Sequence, residues 1–183
     1  DPGAVSWAGG SAGGTDHIAV GLIAKAAGVD PTKINYIAYS GGGEALAAIL
    51  GNQVTAGISS VGEFEAQVKA GTLRLLAVSA PERIAGVEAP TLKESGLDVE
   101  LQNWRMVAAA PGLTDEQKAK VSGDIEKMVK SENWQKQLAD KGWSDTYLSG
   151  AEFDAQLAKD EAATAAVLKD IGLTRLEGAE HVE

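Results

Sequence analysis

Through the first eighty residues, short apolar runs take turns with segments of helical periodicity. "VSWAG" (5–9) reads as a strand. Thr15 then reads as the cap of a helix to about Ala27, with Asp16 in the first turn, Ile18, Leu22 and Ile23 as its apolar stripe, and Gly28 as its stop. "INYIAY" (34–39) predicts a second strand, and "GGGEALAAILGN" (41–52) predicts a glycine turn and a short helix. "VTAGISS" (54–60) is a third strand, "VGEFEAQVKAG" (61–71) a helix closed by Gly71, and "LRLLAVSA" (73–80) a fourth strand. The strands are nearly continuous apolar runs, as expected when both faces of a sheet are covered.

Beyond residue 80 the pattern changes. Residues 81–100, with Pro81 and Pro90, read as loop, and "LQNWRMVAAAPG" (101–112) reads as one more strand, ended by Pro111-Gly112. "TDEQ" (114–117) and "SGAE" (149–152) are capping-box patterns, each opening a helix. The first runs to about Val129. Ser131 starts another through Trp134 and Leu138 to Gly142. The last runs to about Asp170, with Phe153, Leu157, Thr164, Leu168 and Ile171 near one face. The charged stretch after Gly172 reads as a tail.

Strand and helix alternating at this spacing predict βαβ units, so the fold class is α/β with a mostly parallel sheet, followed by a mainly helical C-terminal part. In such sheets ligands sit beyond the carboxyl ends of the strands. Three loops rich in Gly and Ser meet that condition: 9–15, 39–43 and 59–62.

Composition narrows the chemistry. A net charge of −10 argues against nucleic acid and anionic lipid as partners. It leaves small anions open, because these respond to local N–H groups. The absence of cysteine removes disulfides, zinc-thiolate sites and cysteine nucleophiles. No run approaches the roughly 18 apolar residues of a membrane span, and Asp1-Pro2-Gly3 lacks the basic start of a secretory signal.

"GGSAGGTDHIA" (9–19) is the stretch that most resembles an anion cradle, yet it fits no nucleotide motif. No Lys follows the glycines, the spacing is not Gly-x-Gly-x-x-Gly, and Asp16 would face a pyrophosphate. The two histidines, His17 and His181, are far apart and offer no metal-ligand spacing. His17 with Ser11, Ser40 or Ser59 would make a small Ser/His-dependent α/β enzyme, an alternative that no Gly-x-Ser-x-Gly elbow supports. What remains is hydroxyls, helix-start N–H groups, one His, one Arg and some aromatics, the equipment of a carboxylate site.

Five stretches then carry a resemblance in order and spacing. They are "WAGGSAGGTDHIA", "INYIAYSGGGEALAAILGNQVTAGISS", "GTLRLLAVSAPER", "APTLKESGLDVE" and "NWRMVAAAPGLTDEQ". From Val5 to Leu173 the chain resembles the substrate-binding receptors of tripartite tricarboxylate transporters, the Bug-type receptors. The resemblance implies a two-lobed, periplasmic-binding-protein-like fold of type II. It also implies a protein that is periplasmic, or tethered outside a single-membrane cell. Such a receptor captures citrate-like di- and tricarboxylates between its lobes and delivers them to transporter membrane subunits. It is not an enzyme and uses no cofactor or metal.

On that reading residues 1–103 are the second, ligand-binding lobe, and 104–173 are a returning strand and helices that pack on a first lobe. Residues 174–183 are the tail. In such receptors the first lobe precedes the position that corresponds to Asp1. Helices 114–130 and 149–171 are then expected to cover their apolar faces by homodimerisation or altered packing. The ligand-binding residues implied are Ser11, Ala12, Gly13, Gly14, Thr15 and His17 in the first loop, Tyr39, Ser40 and Gly41 in the second, and Ser59 in the third. Trp104 and Arg105 follow on the returning strand, where Arg105 reads either as a bidentate partner of a carboxylate or as a structural ion pair. His17 reads either as a ligand donor or as a residue stacked on the lobe, and Tyr39 as wall. Ser59 stands where much of the family has Asp, which implies a site without a facing carboxylate and a more anionic ligand.

Overall fold

The computed structural model describes residues 1–173. The expected tail 174–183, with His181, lies outside the described residues. The described residues divide into two compact units, one of residues 1–102 with residues 160–173, the other of residues 103–159.

The first unit is built on a three-stranded parallel sheet, β1 (Ser6–Gly9), β2 (Asn35–Ala38) and β3 (Ala56–Gly57), in the order β2-β1-β3. β1 is central, and Trp7 sits opposite Tyr36 on one side and Ala56 on the other. Helices α1 (Thr15–Ala26), α2 (Gly42–Leu50) and α3 (Val61–Lys69) follow the three strands in turn. Ala8, Ala45, Ala48 and Val54 form a buried cluster, and Ile37, Tyr39 and Ile49 pack against it. Small side chains on β1 and α2 let the helix lie close to the sheet.

Beyond the paired residues the ladder continues through Thr55 N–H to Ser6 carbonyl (3.1 Å) and Ile58 N–H to Ala8 carbonyl (2.9 Å). The third strand is therefore shorter than its apolar run suggests, but it carries the chain across the same edge. The end of α6 (Gly150–Asp170) also belongs to this unit. Its Val167 and the following Ile171 lie against Gly21 of α1, and Asp170 pairs with Lys25.

Two strand expectations fail. Residues 73–80 form no strand. Val78 makes a single parallel bridge to Thr91, and Leu76 is 64% exposed. The partner segment carries Pro90, which has no N–H to extend a ladder. Residues 101–112 form no strand either, and Val107 is 68% exposed. Leu101 N–H reaches the Ser79 carbonyl (3.0 Å), but residues 103–112 belong to a unit that holds only helical elements among its described residues, so no strand edge is present there to pair with.

That second unit consists of the extended segment, α4 (Asp115–Val129), α5 (Glu132–Lys141) and the start of α6. The capping box at Thr114 forms in both directions, with the Thr114 hydroxyl accepting from Gln117 N–H (3.2 Å) and the Gln117 side chain accepting from Thr114 N–H (2.9 Å). Ser131 caps α5 by accepting from Trp134 N–H (3.2 Å). Gly142 ends α5 in the left-handed conformation, φ 61°.

Candidate functional site

The three parallel strands end at one edge of the sheet, and each passes through a short loop into a helix. Residues 10–14 lead to α1, 39–41 to α2 and 58–60 to α3. Three helix N-termini therefore stand at the carboxyl edge, where a parallel sheet places ligands. Their caps are Gly14, Gly41 and Ser60, and none makes a side-chain cap bond. Thr15, expected as the cap of α1, is its first helical residue instead. Gly14 carbonyl accepts the first helical bond from Ile18 N–H (3.0 Å), while Gly14 N–H closes a turn onto Ser11 carbonyl (2.9 Å).

Loop 10–14 is fixed from both sides. Gly10 N–H donates to Asp16 Oδ2 (2.8 Å), and Gly10 carbonyl accepts from the Tyr36 hydroxyl (2.8 Å). Gly13 N–H donates to His17 Nδ1 (3.2 Å), and the His17 ring stacks on Tyr36 at 4.2 Å with 2° between the planes. An Nδ1 that accepts leaves the neutral ring with its proton on Nε2. Burial holds the His17 pKa below its ordinary value, in keeping with a neutral imidazole. Burial likewise pushes the Tyr36 phenol well above its usual range, with the charge of Asp16 adding to the effect. Tyr36 stays a donor. At Gly9 an added Cβ would overlap Tyr36 Oη and come within 3.0 Å of Asp16 Cβ and Ile58 Cγ2, so only glycine lets the tyrosine reach the loop.

The other loops are held by acids in the first turns of their helices. Ser40 N–H donates to Glu44 Oε2 (3.0 Å). Glu63 Oε2 accepts from the Ser59 hydroxyl and from the Ser60 hydroxyl (3.3 Å). The same carboxylate lies over Gly42 at the start of α2, where a Cβ would strike it. A first-turn acid is favoured by the helix dipole. Asp16 is half-buried, and its pKa is raised, first by desolvation and also by the charge of Glu63, against the lowering effect of the Gly10 bond.

The structure thus brings Ser11–Thr15, His17, Ser40, Gly41 and Ser59 to one edge of the first unit. Tyr39 directly follows β2, with its N–H on Gly9 carbonyl (2.9 Å), and its side chain packs on the buried cluster. Trp104 and Arg105 belong to the other unit. There the Arg105 guanidinium folds back onto its own segment, donating to the Asn103 carbonyl (3.3 Å) and side chain and to the Trp104 carbonyl (3.1 Å). Ser59 does not leave the site without a carboxylate, because Glu63 supplies one from the next turn. Sequence reading missed Glu63, Glu44 and Tyr36. For Glu63 the signal was present, since "SVGE" (60–63) has the Ser-x-x-Glu form of a capping box.

Among the described residues no hydrogen bond joins a serine hydroxyl to His17. Its Nδ1 is taken by Gly13, and Ser59 is turned to Glu63, so the Ser/His pairing of the enzyme alternative does not form. Among the described residues no group of three or more His, Cys, Asp or Glu is placed to hold a metal ion, and no helix is long and apolar enough to cross a membrane.

The family model of the tripartite tricarboxylate transporter family receptor matches residues 1–173. The chain belongs to this receptor family. Its fold is that of solved members. A TctC solute binding protein from Polaromonas, solved without ligand, has TM-score 0.72 at 29% identity, over 90% of this chain and 57% of that one. An R. palustris protein solved with adipate has TM-score 0.79 at 22% identity, over 94% and 57%. The periplasmic binding protein BugD has TM-score 0.73 at 21% identity, over 96% and 59%. This TctC-family chain spans somewhat over half the length of the solved structures it matches. No curated protein matches the sequence. The family is one of solute-binding receptors, not enzymes, and the Polaromonas neighbour at 29% identity is itself named a solute binding protein.

Proposed function

We propose that this chain is the ligand-holding part of a periplasmic receptor that captures a carboxylate-bearing organic acid and presents it to the membrane subunits of a tripartite tricarboxylate transporter. The observation that carries the reading is the convergence of three Gly/Ser loops and three helix N-termini at one sheet edge in a member of this receptor family. A ligand carboxylate there is met by backbone N–H groups of the first turn of α1 and by the Nε2–H of His17. Ser11 and Ser59 line the same edge, with Ala12, Gly13, Gly14 and Thr15 shaping the first loop and Ser40 and Gly41 the second. Small residues bring a ligand close to the backbone, where donors are densest. The neighbour solved with adipate supports a carboxylate as the ligand, and BugD, named as periplasmic, supports the compartment. Trp104 and Arg105, carried by the other unit, are further candidate ligand contacts of the receptor.

The test is a titration of the chain with mono-, di- and tricarboxylates into the millimolar range, followed by amide chemical shifts. Saturable shifts confined to residues 10–17, 39–43 and 58–63, with no chemical turnover of the acid, support the reading. No shift with any of the acids, or shifts spread evenly over the surface, refutes it.

A further inference from the structure

Residues 9–18, 36–44 and 56–64, which build the three loops and the helix starts, contain no Lys or Arg. They contain three carboxylates, Asp16, Glu44 and Glu63, and each already accepts from a loop donor. Glu63 is the most consequential. It occupies the hydroxyls of Ser59 and Ser60, and it lies on Gly42 at the N-terminus of α2, where a ligand carboxylate would be drawn. The one histidine of these segments accepts a hydrogen bond at Nδ1, so it adds no positive charge. This sheet edge therefore offers donors chiefly at the α1 end, and acceptors chiefly at the second and third loops.

From this we infer that Glu63 is a specificity-determining residue that selects a carboxylic acid bearing its own hydrogen-bond donor, such as an amide or ammonium, and discriminates against di- and tricarboxylates. The inference rests on the receptor reading above and narrows it. A ligand carboxylate at α1 is compatible with the site, while a second carboxylate at the third loop meets Glu63 as a like charge with its serine donors taken. A donor placed there meets an acceptor. A neutral amide or an ammonium at that end turns repulsion into a bond, and each additional ligand charge lowers affinity roughly tenfold at low salt.

The experiment uses a matched six-carbon series at pH 7.5 and low salt: 6-aminohexanoate, adipamate (the half-amide), adipate and citrate. Each is titrated by amide shifts into the chain, its Glu63→Gln variant and its Glu63→Asp variant. In the unaltered chain, adipamate and 6-aminohexanoate are expected to bind at least about tenfold more tightly than adipate, with citrate weakest. Glu63→Gln is expected to narrow the adipamate-to-adipate ratio about tenfold, mainly by improving adipate, while Glu63→Asp keeps the original order. Glu63 is exposed, and the amide spectrum of each variant reports its folding directly. Adipate or citrate binding as tightly as adipamate, or a ratio that Glu63→Gln leaves unchanged, overturns the inference and leaves the receptor reading intact. Absence of binding by all four acids overturns both.

Discussion

Gly9→Ala is the most informative single perturbation of the first unit, because it separates the packing of the site from its hydrogen bonding. The added methyl overlaps the Tyr36 hydroxyl and sits within 3.0 Å of Asp16 Cβ and Ile58 Cγ2. Overpacking of this kind costs ~1–3 kcal/mol. Displacing the hydroxyl from Gly10 carbonyl removes a hydrogen bond of about 1 kcal/mol. Replacing a strand glycine by alanine returns roughly 0.5–1 kcal/mol through the unfolded chain. The net expectation is a loss of about 2 kcal/mol. In a Tyr36→Phe background the overlapping oxygen is absent, so the same substitution is expected to cost only about 1 kcal/mol. The readout is native-state hydrogen exchange at the Tyr39 and Ile58 amides, which donate to the Gly9 and Ala8 carbonyls and so report this unit alone. Equal costs in the two backgrounds, within about 0.5 kcal/mol, refute the claim that Gly9 exists to admit Tyr36.

Three further outcomes follow from the same geometry. His17 has a folded pKa below its ordinary 6.5, so the unfolded chain takes up the proton first. Stability is full above that value and falls as pH drops below it, and urea unfolding across pH 5 to 8 should show this fall in the native chain and not in His17→Gln. Gly21→Ala and Gly123→Ala, both inside helices, should have opposite signs. A Cβ at Gly21 comes within 2.6 Å of Ile171 Cγ2, whereas one at Gly123 meets nothing within 4 Å. Gly123→Ala should stabilise by about 1 kcal/mol and Gly21→Ala should destabilise, and matching signs in denaturant unfolding would contradict the docking of the end of α6 on α1. Thr114→Ala removes one arm of the α4 capping box and should cost about 1 kcal/mol, read as lost exchange protection at Gln117, whose amide would otherwise stay as protected as before.

The parts of the fold that were legible in the sequence are those decided locally. Thr114 and Ser131 announce α4 and α5 because a cap needs only the next three residues. The βαβ order was legible because glycine turns and apolar runs alternate at a fixed spacing. Residues 73–80 and 101–112 misled because an apolar run is a strand only when another edge offers donors and acceptors, and that condition is set elsewhere in the chain. The candidate site divides in the same way. Its loops could be placed from their glycines, but Tyr36 reaches Gly10 across 26 positions, and no local pattern marks that contact. Asp16, Glu44 and Glu63 look like ordinary first-turn acids until the loop donors they accept from are known. With the specificity inferred for Glu63, the expected ligand shifts from a highly anionic acid to one that carries a donor of its own.

The first unit is discontinuous in the chain, and this bears on the order in which it is made. Lys25 and Asp170 are 145 positions apart, and the Gly21 face of α1 is covered by Val167 and Ile171. During synthesis β1, β2, β3 and their helices leave the ribosome before the segment that closes over α1, which emerges only after α4 and α5. The early piece must therefore wait with one helix face open, and its last step is a long-range closure rather than local zipping. Closing so long a loop adds only about 0.6 kcal/mol for each doubling of its length, so the delay weighs on the folding rate far more than on the final stability.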